Sequence, residues 1–155
     1  MHKLEILDKI AFFRGLTDEE KETVGKIQLR IFRYHPGTVI IRKGDREGDL
    51  YVILKGTATV VGNRSAPLAI LKGGEVFGEV SFLYQGRSRT ADVVANGEVI
   101  AMRMDQQAFS SLDGPLREKL KDKLIQILID RLVTTNDEED ISFNWTHAGP
   151  EASAH

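Results

Sequence analysis

Cysteine is absent from this chain, and that one absence excludes disulfides, thiolate metal sites and cysteine nucleophiles together. It fits a reducing compartment, and a cytoplasmic location is expected. Histidine is scarce. Only His2, His35, His147 and His155 occur, and only His35 falls near the glycine-punctuated middle of the sequence. A metal-using β-barrel needs several inward histidines or carboxylates, so no metal centre is expected. Long apolar runs are missing too: the longest, Leu50–Leu54, is far short of the ~20 residues of a membrane span, so no membrane partner is expected. No basic-then-apolar leader opens the chain, which argues against secretion. Charge of one sign is also lacking. The 21 Lys and Arg against 23 Asp and Glu leave −2, with no bulk attraction to nucleic acid. Ser81 and Ser88 have no histidine close in sequence, and no Gly-Lys-Ser/Thr triphosphate loop occurs. No catalytic residues are assigned, and binding rather than enzymatic activity is expected.

What is present is an ordinary globular composition, 41% hydrophobic and 28% charged, in 155 residues, the usual size of one domain. At that length folding buries roughly 68–70% of the unfolded chain's surface, enough for a core without staples. Three zones differ in pattern. Residues 1–35 read as short helices: Leu4, Ile6, Leu7, Ile10, Phe12 and Phe13 supply an apolar face, and Thr17-Asp18-Glu19-Glu20 is a capping-box sequence. From Pro36 to Met104 most of the 14 glycines separate short runs rich in Val, Ile, Leu and Thr. The runs are Thr38–Arg42, Leu50–Lys55, Thr57–Val61, Leu68–Leu71, Thr90–Ala95 and Val99–Met104. Short strands between closely spaced turn signals predict an antiparallel barrel or jelly roll rather than alternating β-α units.

From Asp105 the helical period returns, with Asp105 as a cap and Gly114-Pro115 opening a longer helix. Leu116, Leu120, Leu124, Leu128 and Leu132 recur every four residues, joined by Ile125, Ile127, Ile129 and Val133. A helix laid on a barrel needs one apolar stripe; this one has more. The extra face is expected to meet a second subunit, making a homodimer, or else a ligand or a folded-back tail. After Asn136 the acidic run Asp137–Asp140 and the sparse tail read as solvated, although Ile141, Phe143 and Trp145 alternate there. The expected fold is therefore mainly β, an antiparallel β-roll or jelly-roll barrel flanked by N-terminal helices and a long C-terminal helix. The expected domains are 1–136, a single binding domain, and 137–155, an acidic disordered tail.

The segment with chemistry in it is Gly73–Val93. A strand ending at Phe77 meets Gly78, and residues 79–84 have room for a short helix before Gly86. A helix opening after a glycine offers N–H groups to an anion. Ten residues past Glu79 comes Arg89, then Thr90 and Ala91. A guanidinium on that anion would add charge-assisted hydrogen bonds worth about 1.5–3 kcal/mol each. Glu79 narrows the ligand further. A carboxylate repels an anion unless the ligand also brings a hydroxyl for it to accept, as a ribose 2′-OH beside a phosphate does.

At these residues the sequence resembles the cyclic-nucleotide-binding domain family. Phe77-Gly78-Glu79, nine intervening residues and Arg89-Thr90-Ala91 are similar to that family's phosphate-binding cassette, with the gap of the bacterial catabolite-activator branch rather than the eight common in kinases and channels. Ile10–Leu16, the glycine-punctuated stretch from Pro36 to Gly56, and Asp105–Leu132 extend the resemblance to about 130 of 155 residues. The resemblance implies that Arg89 pairs with the cyclic phosphate, that Glu79 accepts the 2′-OH, and that the backbones of Phe77, Gly78, Glu79, Val80, Thr90 and Ala91 line the site. The Thr90 hydroxyl is in reach of a guanine amino group, yet Thr occurs in cAMP binders too, so cAMP and cGMP both stay open. Thr135 and Asn136, near the end of the long helix, match positions that meet the base in the catabolite-activator branch. Asp92 departs from the family pattern and is expected to face solvent. No cofactor besides the ligand is implied. The DNA-reading domain of the family's regulators has no room in the 19 residues after Asn136. The implied function is a sensor whose ligand moves the C-terminal helix, signalling through a dimer or an effector protein. The alternative is a ligand-free module of the same fold used only for protein interaction or dimerisation.

Overall fold

The computed structural model describes residues 7–27, 29–62 and 67–138, with side chains as far as Val133. By internal contacts the chain divides into two units, Met1–Lys121 and Asp122–His155. The first holds both sheets. After a 3₁₀ turn at Ala11–Phe13 come α1 (Asp18–Lys26), β1 (Arg30–Tyr34), β2 (Val39–Ile41), β3 (Leu50–Lys55), β4 (Ala58–Val61), β5 (Pro67–Leu71) and β6 (Val76–Phe77). Then follow α2 (Glu79–Leu83), β7 (Asp92–Ala95), β8 (Val99–Met104), α3 (Gln106–Ser110) and α4 (Gly114–Glu138).

The strands form two four-stranded antiparallel sheets, ordered β1-β8-β3-β6 and β2-β7-β4-β5. This is the jelly roll expected, and β3 and β8 keep their expected bounds. Residues 30–34, expected among helices, are instead an edge strand. Five registered pairs with β8, Arg30↔Arg103 through Tyr34↔Val99, take up its backbone. The side chains alternate as a strand demands: Ile31 and Arg33 are exposed, Phe32 and Tyr34 half-buried. The core between the sheets gathers Ile41, Tyr51, Ile53, Ala58, Leu71, Phe77 and Val93, with Tyr51 and Phe77 stacked at 4.9 Å.

The helix caps match their sequence signals. Thr17 and Glu20 close a reciprocal box at 3.1 and 2.8 Å. Asp105 takes the Ala108 N–H at 2.7 Å, and Asp113 takes that of Leu116 at 2.9 Å. Along α4, Leu116, Leu120 and Leu124 are buried, but Leu132 is 53% exposed. The reason is geometric: a four-residue repeat drifts about 40° per step on a 3.6-residue helix. Ile125, Ile129, Leu132 and Val133 are all about half exposed. The helix continues to Glu138, two residues past the expected boundary, and residues 139–155 lie outside the described residues. No helix among the described residues is long and apolar enough to cross a membrane.

Candidate functional site

The cassette segment folds around one left-handed residue. Gly78 has φ +80°, caps α2, and has Asp49 O and Arg89 Nη1 at 3.0 and 2.9 Å from where a Cβ would stand. No side chain fits there, and an L-residue would be strained besides. Glu79, the first residue of α2, is 7% exposed. The side chain of Phe77 belongs to the core, that of Val80 is 41% exposed, and Thr90 is exposed.

Arg89 is 4% exposed, and its guanidinium meets protein groups on two sides. Nη1 donates to Gly78 O at 2.8 Å; Nη2 donates to Asp49 O at 2.7 Å and to both oxygens of Glu47 at 3.1 Å. Its Nε is buried with no hydrogen-bond partner among the described residues. The guanidinium also sits 5.9 Å from the Tyr51 ring centroid. Arg89 and Gly78 are thus brought together as the spacing implies, while the counter-charge shown on Arg89 is Glu47, which the sequence reading missed. Its signal was there, in the acidic turn Asp45-Arg46-Glu47-Gly48-Asp49. Nothing local marks its partner, which lies 42 residues away.

A second arginine completes the cluster. Arg103 on β8 donates from Nε to Asp49 Oδ2 at 2.5 Å, approaches Glu47 at 3.6 Å, and lies over the Phe32 and Tyr51 rings at 5.7 and 5.3 Å. Burial first, and then the charge of Glu47, push the Tyr51 phenol far above its usual range, so it stays neutral.

The strand after the cassette begins at Asp92, two residues later than expected, because the Arg89 backbone is already engaged by the turn after β2. Gly44 N–H donates to Arg89 O at 2.9 Å, and Arg89 N–H donates to Asp45 O at 2.7 Å. Asp92, expected to face solvent, is half-buried and accepts the Lys43 N–H at 2.7 Å, anchoring the same turn. Tyr84 is 64% exposed beneath Arg87, whereas Phe82 packs edge-on to Phe109 at 5.0 Å. Thr135 and Asn136 fall inside α4 but beyond the residues whose side chains are described.

The cassette is joined to the helices that follow the roll. Gln106 donates to Phe82 O and receives the Gln85 amide at 3.1 Å. A groove of about 120 Å³ there is lined by residues that include Phe82, Gln85, Gln106, Phe109, Arg117 and Lys121.

A family model described as the cyclic nucleotide-binding domain matches residues 31–113. Cyclic nucleotide-gated channel beta-3 of Mus musculus is 34% identical over 130 residues, 80% of this chain and 19% of the channel subunit. The chain spans about a fifth of the length of such curated relatives. Among solved structures, a cyclic nucleotide-binding domain from Methylobacillus flagellatus aligns with TM-score 0.79 and 23% identity, covering 92% of this chain and 83% of that one. The regulatory subunit of a cAMP-independent protein kinase A from Trypanosoma brucei aligns with TM-score 0.67 and 28% identity, covering 83% and 45%.

Proposed function

The chain belongs to the cyclic nucleotide-binding domain family, and from that premise we propose that it is a cytoplasmic sensor of cAMP or cGMP that binds its ligand without chemically altering it. Arg89 takes the cyclic phosphate, Glu79 takes the ribose 2′-OH, and the backbones of Phe77, Gly78, Val80, Thr90 and Ala91 shape the site around them. Thr135 and Asn136 contact the base. The observation that carries this reading is the Arg89 guanidinium, taken almost wholly out of water with Nε left without a partner among the described residues. A buried open donor on a cation is the group that a phosphate oxygen completes.

Occupancy is transmitted by linkage: a ligand that favours one arrangement of α2 shifts the helices attached to it. The Gln106–Phe82 bond and the Phe82–Phe109 contact supply the attachment, and the short turn 111–113 leads from α3 to α4. The output passes through the exposed apolar residues of α4, Ile125, Ile129, Leu132 and Val133, to a second copy or an effector. Sedimentation with and without ligand reads the dimer directly.

The ligand-free interaction module is the second reading, and one observation favours it: Glu47 already neutralises Arg89. Calorimetry of the purified chain against both cyclic nucleotides separates the two. Saturable heat with one of them, lost on Arg89→Ala, supports the sensor; no heat with either ends it.

A further inference from the structure

Glu47 occupies Arg89 Nη2, beside the open Nε, on a loop with little freedom to move alone. Its two ends are tied down, at one by the Gly44 and Asp45 backbone bonds to Arg89 and at the other by Asp49, which gives its carbonyl to Arg89 and its carboxylate to Arg103. Between them the Glu47 carboxylate accepts the Asp49 N–H at 2.6 Å and the Arg89 Nη2 at 3.1 Å to each oxygen. A carboxylate presents a guanidinium with two oxygens on one edge, and a phosphate presents the same edge. The charges around them balance: Arg89, Arg103 and Arg30 face Glu47, Asp49 and Asp105, with Arg30 at the rim 3.8 Å from Asp49 and 4.0 Å from Asp105. An added anion overfills this cluster unless a resident one leaves. Arg103 Nη2, 3.6 Å from Glu47, is a second cation ready to keep that carboxylate.

We propose that Glu47 is a built-in competitor anion, displaced from Arg89 toward Arg103 when a phosphate-bearing ligand enters. The inference rests on Arg89 being the phosphate ligand. It makes Glu47 a determinant of affinity that the cassette segment 77–91 does not contain: binding must first break a charge-assisted pair whose cation is buried. It also gives occupancy an effect on the loop between β2 and β3, apart from any effect on the helices.

The test is Glu47→Gln, compared with wild type in two assays. The first is calorimetry with 3′,5′-cyclic AMP and cyclic GMP, where the variant is expected to bind about tenfold more tightly. The second is thermal unfolding in rising inorganic phosphate, where the melting temperature of the variant is expected to climb more steeply. Unchanged or weaker nucleotide binding together with an equal phosphate response overturns the proposal and makes Glu47 a positioning residue for Arg89. If neither protein binds a cyclic nucleotide but phosphate still favours the variant, the competitor stands and the nucleotide reading falls. Glu47→Asp retains the charge on a stem one methylene shorter. It covers a Glu47→Gln protein that does not fold, with a smaller gain expected in both assays and no gain in either counting against the proposal.

Discussion

Arg89 Nη2 stands 3.1 Å from both carboxylate oxygens of Glu47, so the cation at the centre of the candidate site is paired across 42 residues of chain. Three of its four acceptor contacts with the protein come from the 47–49 turn; Gly78 O is the fourth, from the cassette itself. This arrangement keeps a buried charge in place without ligand, which an unpaired guanidinium at 4% exposure would not manage.

Arg89→Ala is expected to lower cyclic-nucleotide affinity by about 2–5 kcal/mol, the range for truncating one side of a desolvated charged pair. Ligand-free stability falls as well, by on the order of 1–3 kcal/mol, because the Gly78 and Asp49 carbonyls lose their donor. Calorimetry and urea unfolding read the two effects separately. Equal titration heats in both proteins would refute the ligand role.

Glu79→Gln is expected to weaken ribonucleotide binding and to narrow the preference for a cyclic ribonucleotide over its 2′-deoxy analogue, since a neutral amide is a poorer acceptor for the 2′-OH. Competition between the two ligands measures the preference. A variant that discriminates as wild type does places Glu79 away from the sugar.

Gly78→Ala introduces a methyl group 2.9 Å from Arg89 Nη1 and 3.0 Å from Asp49 O, at φ +80°. Destabilisation of about 1–3 kcal/mol is expected from strain and crowding, along with a loss of affinity as Arg89 is pushed aside. A fully stable variant with native affinity would show the turn to be more yielding than its geometry indicates.

Glu20 makes stability fall as the solution is acidified. The Lys119 ammonium, bonded at 2.8 Å, and then the Thr17 N–H hold its carboxyl below the usual glutamate value. The folded pKa is depressed, so the stabilisation is complete above the unfolded glutamate pKa of about 4.3 and drains away as pH falls through the folded value. Glu20→Gln is expected to have a lower urea midpoint than wild type at pH 7, with the gap closing by about pH 3. Thr17→Ala, which removes the cap, should lose about 1 kcal/mol at neutral pH. A gap that stays constant with pH would assign no charge-dependent role to Glu20.

Much of this was legible because it is local. The capping box needs only Thr17 and Glu20 three residues apart, and the turn at Gly78 needs only a residue free to take positive φ. The strands either side of the glycines were readable for the same reason, and β3 and β8 kept their bounds. Strand β1 was not, because an edge strand of Arg, Ile, Phe, Arg and Tyr has only a half-buried face and borrows its order from β8. The start of β7 was misplaced because hydrogen bonds to Gly44 and Asp45 claim the backbone of Arg89 just ahead of it, and those partners are more than forty residues upstream.

By itself the sequence determined the roll, its glycine turns, its helix caps and the short distance between Gly78 and Arg89, since each depends on backbone preferences or spacing within a few turns of chain. Only the tertiary structure decided which acid neutralises Arg89. Glu79 is far nearer in sequence, but the sheet order seats β3 beside both β6 and β8, and so carries the 47–49 turn to the guanidinium and Arg103 to the turn. Electrostatic pairing acts through space, over a few ångströms, and is blind to the number of residues between its partners.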